Sequence, residues 1–237
     1  GWINMGAYRS QVVDRNTVPV ALGDLRLTFA GTVEVDARVE YVHPLHNLAI
    51  VRYDQAGLGD TPVRAVRLAT RLPDNGEEVR VVGLGPDHRV ASQRARVASL
   101  APVVFPLSRS LQFRDANLET IRLANGPQEF DGLILDRRGA VLGLWSSFAW
   151  TEGRQVEQQN QGIPAALVRE LLEHARDGRP LYSLEAEFAP LPLSAARQLG
   201  LAAGWIGRLE RHDPARRQVL TVERGVAGSP AATVLMP

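Results

Sequence analysis

Short apolar runs separated by turn signals dominate the first three quarters of the chain. Val12-Val13, Thr17 to Leu22, Leu25 to Phe29, Val33 to Val42 and Leu48 to Tyr53 form a first set. From Val33 to Val42 apolar and polar residues alternate with period two, as a strand buried on one face requires. A loop bearing Gly57, Gly59, Pro62, Pro73 and Asn75-Gly76 follows. A second set then runs through Glu78 to Leu84, Val90 to Leu100, Ser110 to Phe113, Glu119 to Leu123, Leu133 to Leu135 and Ala140 to Phe148. Many short strands at such spacing predict a sandwich or barrels. One segment departs from the pattern. After Pro164, Leu167, Val168, Leu171, Leu172 and Ala175 recur at helical spacing and Gly178 stops them, which predicts a single closing helix. Beyond Arg179-Pro180 comes a strand-like Leu181 to Phe188, a short helical Leu193 to Leu199, then Trp205 to Glu210 and Gln218 to Val222 around Asp213-Pro214. The expected division is therefore one domain over 1–178 and a smaller unit over 181–237.

Composition narrows the chemistry. The 237 residues carry a net charge of +1, and the basic residues are spread along the sequence, so no footprint for nucleic acid stands out. All 27 basic residues are Arg, a bias that fits a GC-rich genome and a bacterial source. With no Cys, disulfides, a thiol nucleophile and thiolate metal sites are excluded, while the compartment stays open. No apolar run approaches the ~20 residues of a membrane span, and the first residues lack a signal peptide's charged start. The opening Gly-Trp-Ile-Asn-Met-Gly and the closing Val-Leu-Met-Pro read as the ends of a fragment, so other domains of a longer parent chain, or another polypeptide, are the expected partners.

The motifs then acquire a family. Gly31 to Arg52, ending His43-Pro-Leu-His-Asn-Leu-Ala-Ile-Val-Arg, resembles the HtrA/DegP segment in which a strand pair leads into Asp-Leu-Ala-Val-Leu-Lys. Val12 to Pro19 resembles that family's Ile-Val-Thr-Asn-x-His-Val-Val. Glu78 to Gly85 and Val97-Ala-Ser-Leu resemble the opening strands of its second barrel. Gln128 to Leu144 aligns with Gly-Asn-Ser-Gly-Gly-Pro-Leu and the Asp-Gly turn and Val-x-Gly-Ile strand that follow it. The resemblance implies an all-β, trypsin-like double β-barrel with a C-terminal helix, followed by a partial PDZ domain. It is nearest to the degenerate protease-like repeat of tandem HtrA-like proteins.

That alignment places Thr17 at the histidine base, Asn47 at the aspartate and Phe130 at the serine. Thr cannot act as a base near neutral pH, Asn cannot stabilise an imidazolium, and Phe has no nucleophilic atom. Gln128-Glu129-Phe130 also lacks the glycine on which the family's oxyanion turn depends. The resemblance thus implies a catalytically degenerate module acting as a scaffold, peptide-binding or regulatory unit. The alternative is an active HtrA-like serine endopeptidase of protein quality control, and whether the chain is an enzyme stays open. Ser146 and Ser147 read as plain strand residues. His43 and His46 read as loop or solvent residues, since a metal pair would need more ligands; no metal or cofactor is expected.

In the C-terminal unit, Leu181-Tyr-Ser-Leu-Glu resembles the carboxylate-binding Tyr-Leu-Gly-Ile of HtrA PDZ domains. The resemblance places a peptide-binding loop at Tyr182, Ser183 and Leu184, with Ser183 where a glycine is usual. Ser194 to Leu201 and Val222 to Ala231 resemble the PDZ helix and its Pro-Gly-Ser-Pro-Ala turn. The family further implies a homo-oligomer and, in bacteria, an extracytoplasmic or periplasmic setting.

Overall fold

A computed structural model describes residues 10–13, 16–19, 24–29, 31–43, 46, 48–103, 118–152, 155–180, 182, 184–225 and 228–235. The chain divides into two compact units, Gly1–Leu181 and Tyr182–Pro237.

In the first unit the N-terminal half consists of a hairpin, β1 (Ser10–Val13) with β2 (Asn16–Pro19), and an antiparallel sheet of β3 (Arg26–Phe29), β4 (Val33–Val42) and β5 (Ala49–Tyr53). Among the described residues these two pieces are separate sheets. A short 3-10 helix, Gln55–Leu58, is capped by the Asp54 carboxylate, which accepts from the Ala56 amide. The second half is a closed barrel. It is built from β6 (Glu78–Leu84), β7 (Val90–Val103), β8 (Leu118–Ala124), β9 (Gly132–Leu135), β10 (Val141–Glu152) and β11 (Gln155–Pro164), in the order β10-β11-β8-β7-β6-β9. Its interior is filled by Val79, Val81, Val97, Ile121, Ile134, Leu142 and Trp145, the inward side chains of a small barrel that leaves no channel.

The closing seam of the barrel runs between β6 and β9, where Gly83 faces Gly132. Here the two backbones touch: a methyl group on Gly83 would lie 1.9 Å from the Asp131 carbonyl oxygen, and one on Gly132 would lie 2.2 Å from that of Val82. Neither position tolerates a side chain.

Strand β11 is not anticipated by the apolar pattern, because its residues 157–161 are Glu-Gln-Gln-Asn-Gln. Two of its amide side chains, Asn160 and Gln161, are buried and paired instead. Gln161 accepts from the Thr120 hydroxyl, and Asn160 donates to the Pro127 carbonyl at 3.4 Å. The closing helix α1 (Ala165–Asp177) forms where the apolar spacing places it, and Gly178 ends it in the left-handed conformation at φ 63°. One face of α1 packs Leu167, Val168 and Leu171 onto Leu144, Phe148 and Ile163 of the barrel and Tyr41, Leu48 and Ile50 of the N-terminal sheet. The two β-rich halves are thereby joined through a shared apolar layer.

His43 and His46 lie at the edge of this layer. Their rings are 4.4 Å apart, and the His46 amide donates to His43 Nδ1 at 3.1 Å. His43 lies outside helix and strand but is only 4% exposed, so of the two expected roles, loop or solvent, the solvent one is corrected. Burial holds its pKa down to about 4, and the neighbouring His46 and His174 add to the effect. Burial also lowers His46, against the pull of Glu170 on α1.

The second unit pairs β12 (Ala186–Pro192) with β13 (Gln218–Gly225) and carries α2 (Leu193–Gln198), α3 (Ala203–His212) and α4 (Pro230–Val234). Its core is Leu193, Ala196, Ile206 and Ala231. Helix α4 is capped by the Ser229 hydroxyl and crosses β13 at Gly225, where a methyl group would lie 2.9 Å from the Ala232 Cα.

Two outcomes follow from this packing. Gly83→Ala forces the β6–β9 seam apart and is expected to destabilise the first unit by on the order of 3 kcal/mol, as overpacking against rigid backbone does; urea denaturation reads it, and an unchanged midpoint contradicts the close approach. The second concerns acid. His43 ionises near 6.5 when unfolded and at about 4 when folded, so the folded state binds fewer protons and stability falls as the pH drops through that interval. The loss reaches on the order of 3 kcal/mol near pH 4. In His43→Asn the amide oxygen can still accept from the His46 amide but cannot be protonated, so the variant loses less stability between about pH 7 and about pH 4.5. Parallel pH profiles for the two proteins would exclude His43 as the acid-sensitive group.

Candidate functional site

The turn between β8 and β9, residues 125–131, forms the rim of a cleft at the end of the barrel. It is held from below by one indole. Trp145 is 2% exposed, and its Nε1 donates to the Pro127 carbonyl at 2.8 Å. A methyl group on Gly126 would lie 2.6 Å from the Trp145 ring, so glycine is needed for the turn to lie flat on the indole. Asn125 opens the turn at φ 57°, in the left-handed region that Asn tolerates, and its carbonyl accepts from Gln93 Nε2 at 2.6 Å. Gln128 folds back to donate to the Gly126 carbonyl at 3.1 Å. Among the described residues the turn's only positive φ is at Asn125, and the positions aligned with the family's Gly-Asn have ordinary backbone.

Phe130 is half-buried and packs against the barrel core. Its ring lies beside Gly83, with Cδ2 3.0 Å from where a methyl group there would stand. Next to it, burial raises the Asp131 pKa, and the Ser147 amide, which donates to the Asp131 carboxylate, partly offsets the rise. The cleft has a volume of about 810 Å³ and is lined by the turn, by Val82 to Pro86 and Val90, and by Leu144, Trp145, Ser147, Gln158 and Asn160. Of the groups able to do chemistry, its described lining contains one hydroxyl, Ser147, and two carboxylates, Glu129 and Asp131. It contains no His.

The other sequence-predicted positions are distributed as follows. Thr17 lies on β2, opposite Val12. Asn47 falls outside the described residues, between His46 and Leu48. Tyr182 and Leu184 are 86% and 69% exposed in the second unit, and Ser183 between them lies outside the described residues. Ser146 is 1% exposed and its hydroxyl has no hydrogen-bond partner among the described residues, whereas Ser147 turns into the cleft. Gln158 and Asn160 were missed as cleft residues together with their strand. Among the described residues no group of three or more His, Cys, Asp or Glu is placed to hold a metal ion, and no helix is long and apolar enough to cross a membrane.

Comparison with known proteins places this architecture. No family model matches the chain. It is 32% identical over 259 residues to Protease Do-like 7 of Arabidopsis thaliana, covering 98% of this chain and 23% of that protein. It is 31% identical to the PDZ domain-containing protein C23G3.12c of Schizosaccharomyces pombe, covering 92% of this chain and 23% of that protein. It is 30% identical to the pro-apoptotic serine protease NMA111 of Saccharomyces cerevisiae, covering 90% and 22%. These relatives are plant and fungal, and the chain spans about a quarter of their length. Among solved structures, the HtrA-type protease AlgW with a tripeptide matches with a TM-score of 0.54 at 17% identity, over 90% of this chain and 64% of that one, which shows a shared fold. With its closed barrel, closing helix and aligned strand motifs, the chain belongs to the HtrA, or Do-like, family of trypsin-like serine proteases.

Proposed function

We propose that this unit is a catalytically silent protease-like module that serves as a scaffold or peptide-binding surface within a longer HtrA-like chain. The observation that carries the reading is Phe130. At the position aligned with the family's nucleophile stands a hydrocarbon ring packed on the barrel core, without an atom that could attack a carbonyl. The cleft around it supports the same reading, since its described lining offers Ser147 no imidazole base. Thr17 and Asn47, aligned with the base and its orienting carboxylate, could supply neither a proton acceptor near neutral pH nor a negative charge.

In this reading the second unit is the first part of a PDZ domain. Its antiparallel pair β12–β13, the helix α2 that follows β12 and the Ser-Pro turn into α4 are the features that support the assignment. The exposed Tyr182 and Leu184 flank the position proposed for the carboxylate-binding loop.

Fluorophosphonate labelling followed by peptide mapping tests the silent cleft. No adduct is expected on any serine of this chain under conditions in which an active trypsin-like enzyme is labelled to completion. An adduct at Ser147, or at any other serine, would replace this reading with that of an active endopeptidase.

A further inference from the structure

A second hollow, of about 670 Å³, opens on the barrel wall, and its lining shares no residue with the cleft. It lies over the ends of β6, β7 and β9 and is lined by Arg80, Arg94, Arg96 and Arg137, with Glu78 and Asp136 as its carboxylates. These Arg residues are dispersed in the sequence. Only the strand register assembles them.

Arg80 of β6 stands directly opposite Arg94 of β7, and the next outward pair is Glu78 opposite Arg96. Glu78 is shared: Arg137 donates to it at 2.7 Å and Arg96 at 3.0 Å. Asp136 Oδ1 is already taken by the Arg138 and Ala140 amides. Among the described residues Arg80 reaches only the Ser92 hydroxyl, at 3.4 Å. Among the described residues neither Arg80 nor Arg94 forms an ion pair. Like charges directly opposite each other on one face of an antiparallel pair disfavour the pairing. An arriving anion removes that penalty and gives two free guanidinium forks a carboxylate geometry to match.

The same outer face continues as an apolar strip that runs into the cleft, whose lining includes Val82, Leu84, Val90 and Leu133. Period-two alternation puts Val82 and Leu84 on the side of β6 that carries Arg80, and register sets Val90 opposite Leu84, Leu133 opposite Val82 and Leu135 opposite Arg80. Leu84 and Val90 are exposed. Four guanidinium groups at one end and an exposed aliphatic strip at the other describe a surface for a chain with both carboxylates and apolar side chains. A nucleic acid fits less well, because Glu78 and Asp136 oppose a polyphosphate and no aromatic residue lines the hollow for base stacking.

We propose that the outer face of β6, β7 and β9 binds an acidic polypeptide segment, with its carboxylates on Arg80 and Arg94 and its apolar side chains along Leu135, Val82 and Leu84. This does not depend on the catalytic silence of the cleft.

Fluorescence anisotropy on the full 237-residue chain tests it with three labelled probes: a short peptide of alternating Glu and Leu, its Gln-for-Glu counterpart, and a single-stranded oligonucleotide of matching charge. The Glu–Leu peptide is expected to bind in a salt-sensitive manner, and the other two about tenfold more weakly or worse. Arg80→Gln/Arg94→Gln is expected to lose about tenfold in affinity for the Glu–Leu peptide. Its thermal midpoint should stay level or rise, because opposed like charges are removed. Should the double variant unfold, Arg94→Gln alone repeats the comparison without removing any ion pair. Failure of the Glu–Leu peptide to bind, equal binding by the variants, or preference for the oligonucleotide overturns the proposal.

Discussion

The first unit depends on backbone contact at one seam. A barrel of six strands closes only if its first and last neighbours can approach to ladder distance while the interior is filled. Strand β9 is just four residues long, Gly132–Leu135, and it must pair with both β6 and β10. At its first residue the pairing leaves no volume beyond hydrogen atoms on either side. That contact sets the height of Asp131 and Phe130 above the barrel, and with them the rim of the cleft. The rest of the rim is set by Trp145, which fills the interior with its ring and spends its N–H on the Pro127 carbonyl. One side chain thus couples core packing to the shape of the functional surface. Cleft geometry and barrel stability are therefore the same physical problem in this module.

How much of this was legible in the sequence depended on where each strand hid its apolar side. Strands β4 and β6 run between the residues that the apolar pattern indicates, Val33 to Val42 and Glu78 to Leu84, because each buries one face and wets the other. Helix α1 was legible for the same reason, with a left-handed glycine as its stop. Strand β11 was not, since Gln158 to Gln161 has no apolar face to display. Its burial rests on amide hydrogen bonds to Thr120 and Pro127, partners distant in sequence that no local pattern reveals. The burial of His43 was not legible either, since a single histidine just past a strand carries no local sign of it. The basic hollow was illegible because Arg80 and Arg94 become neighbours only once the β6–β7 register is known.

The candidate site was legible as chemistry more than as geometry. The motif alignment indicates which residue types are expected to be missing, and on the proposed reading Phe130 stands in the place of one of them. Phe130 is half-buried, packed against the barrel core and lining the cleft at the same time. The two serines that follow Trp145 divide by strand periodicity, Ser146 facing inward to the layer under α1 and Ser147 toward the cleft, a distinction that composition cannot make.

A trypsin-like nucleophile has to be presented at a turn whose backbone amides are bare enough to hold an oxyanion, which leaves polar groups unsatisfied until substrate arrives. On the proposed reading the corresponding turn of this module is tied down through its carbonyls: that of Pro127 accepts from Trp145 and Asn160, that of Gly126 from Gln128, and the Phe130 ring lies beside Gly83 at the seam. If the turn presents no nucleophile, as that reading holds, hydrocarbon at its tip adds burial, and the side-chain hydrogen bonds to its carbonyls stiffen it. A cleft rearranged in this way retains shape, an aliphatic border and a fixed rim, which are the requirements of recognition rather than of turnover. On the proposed reading, the module's use in its parent chain follows from keeping the barrel's surfaces while the tip of the turn is apolar rather than reactive.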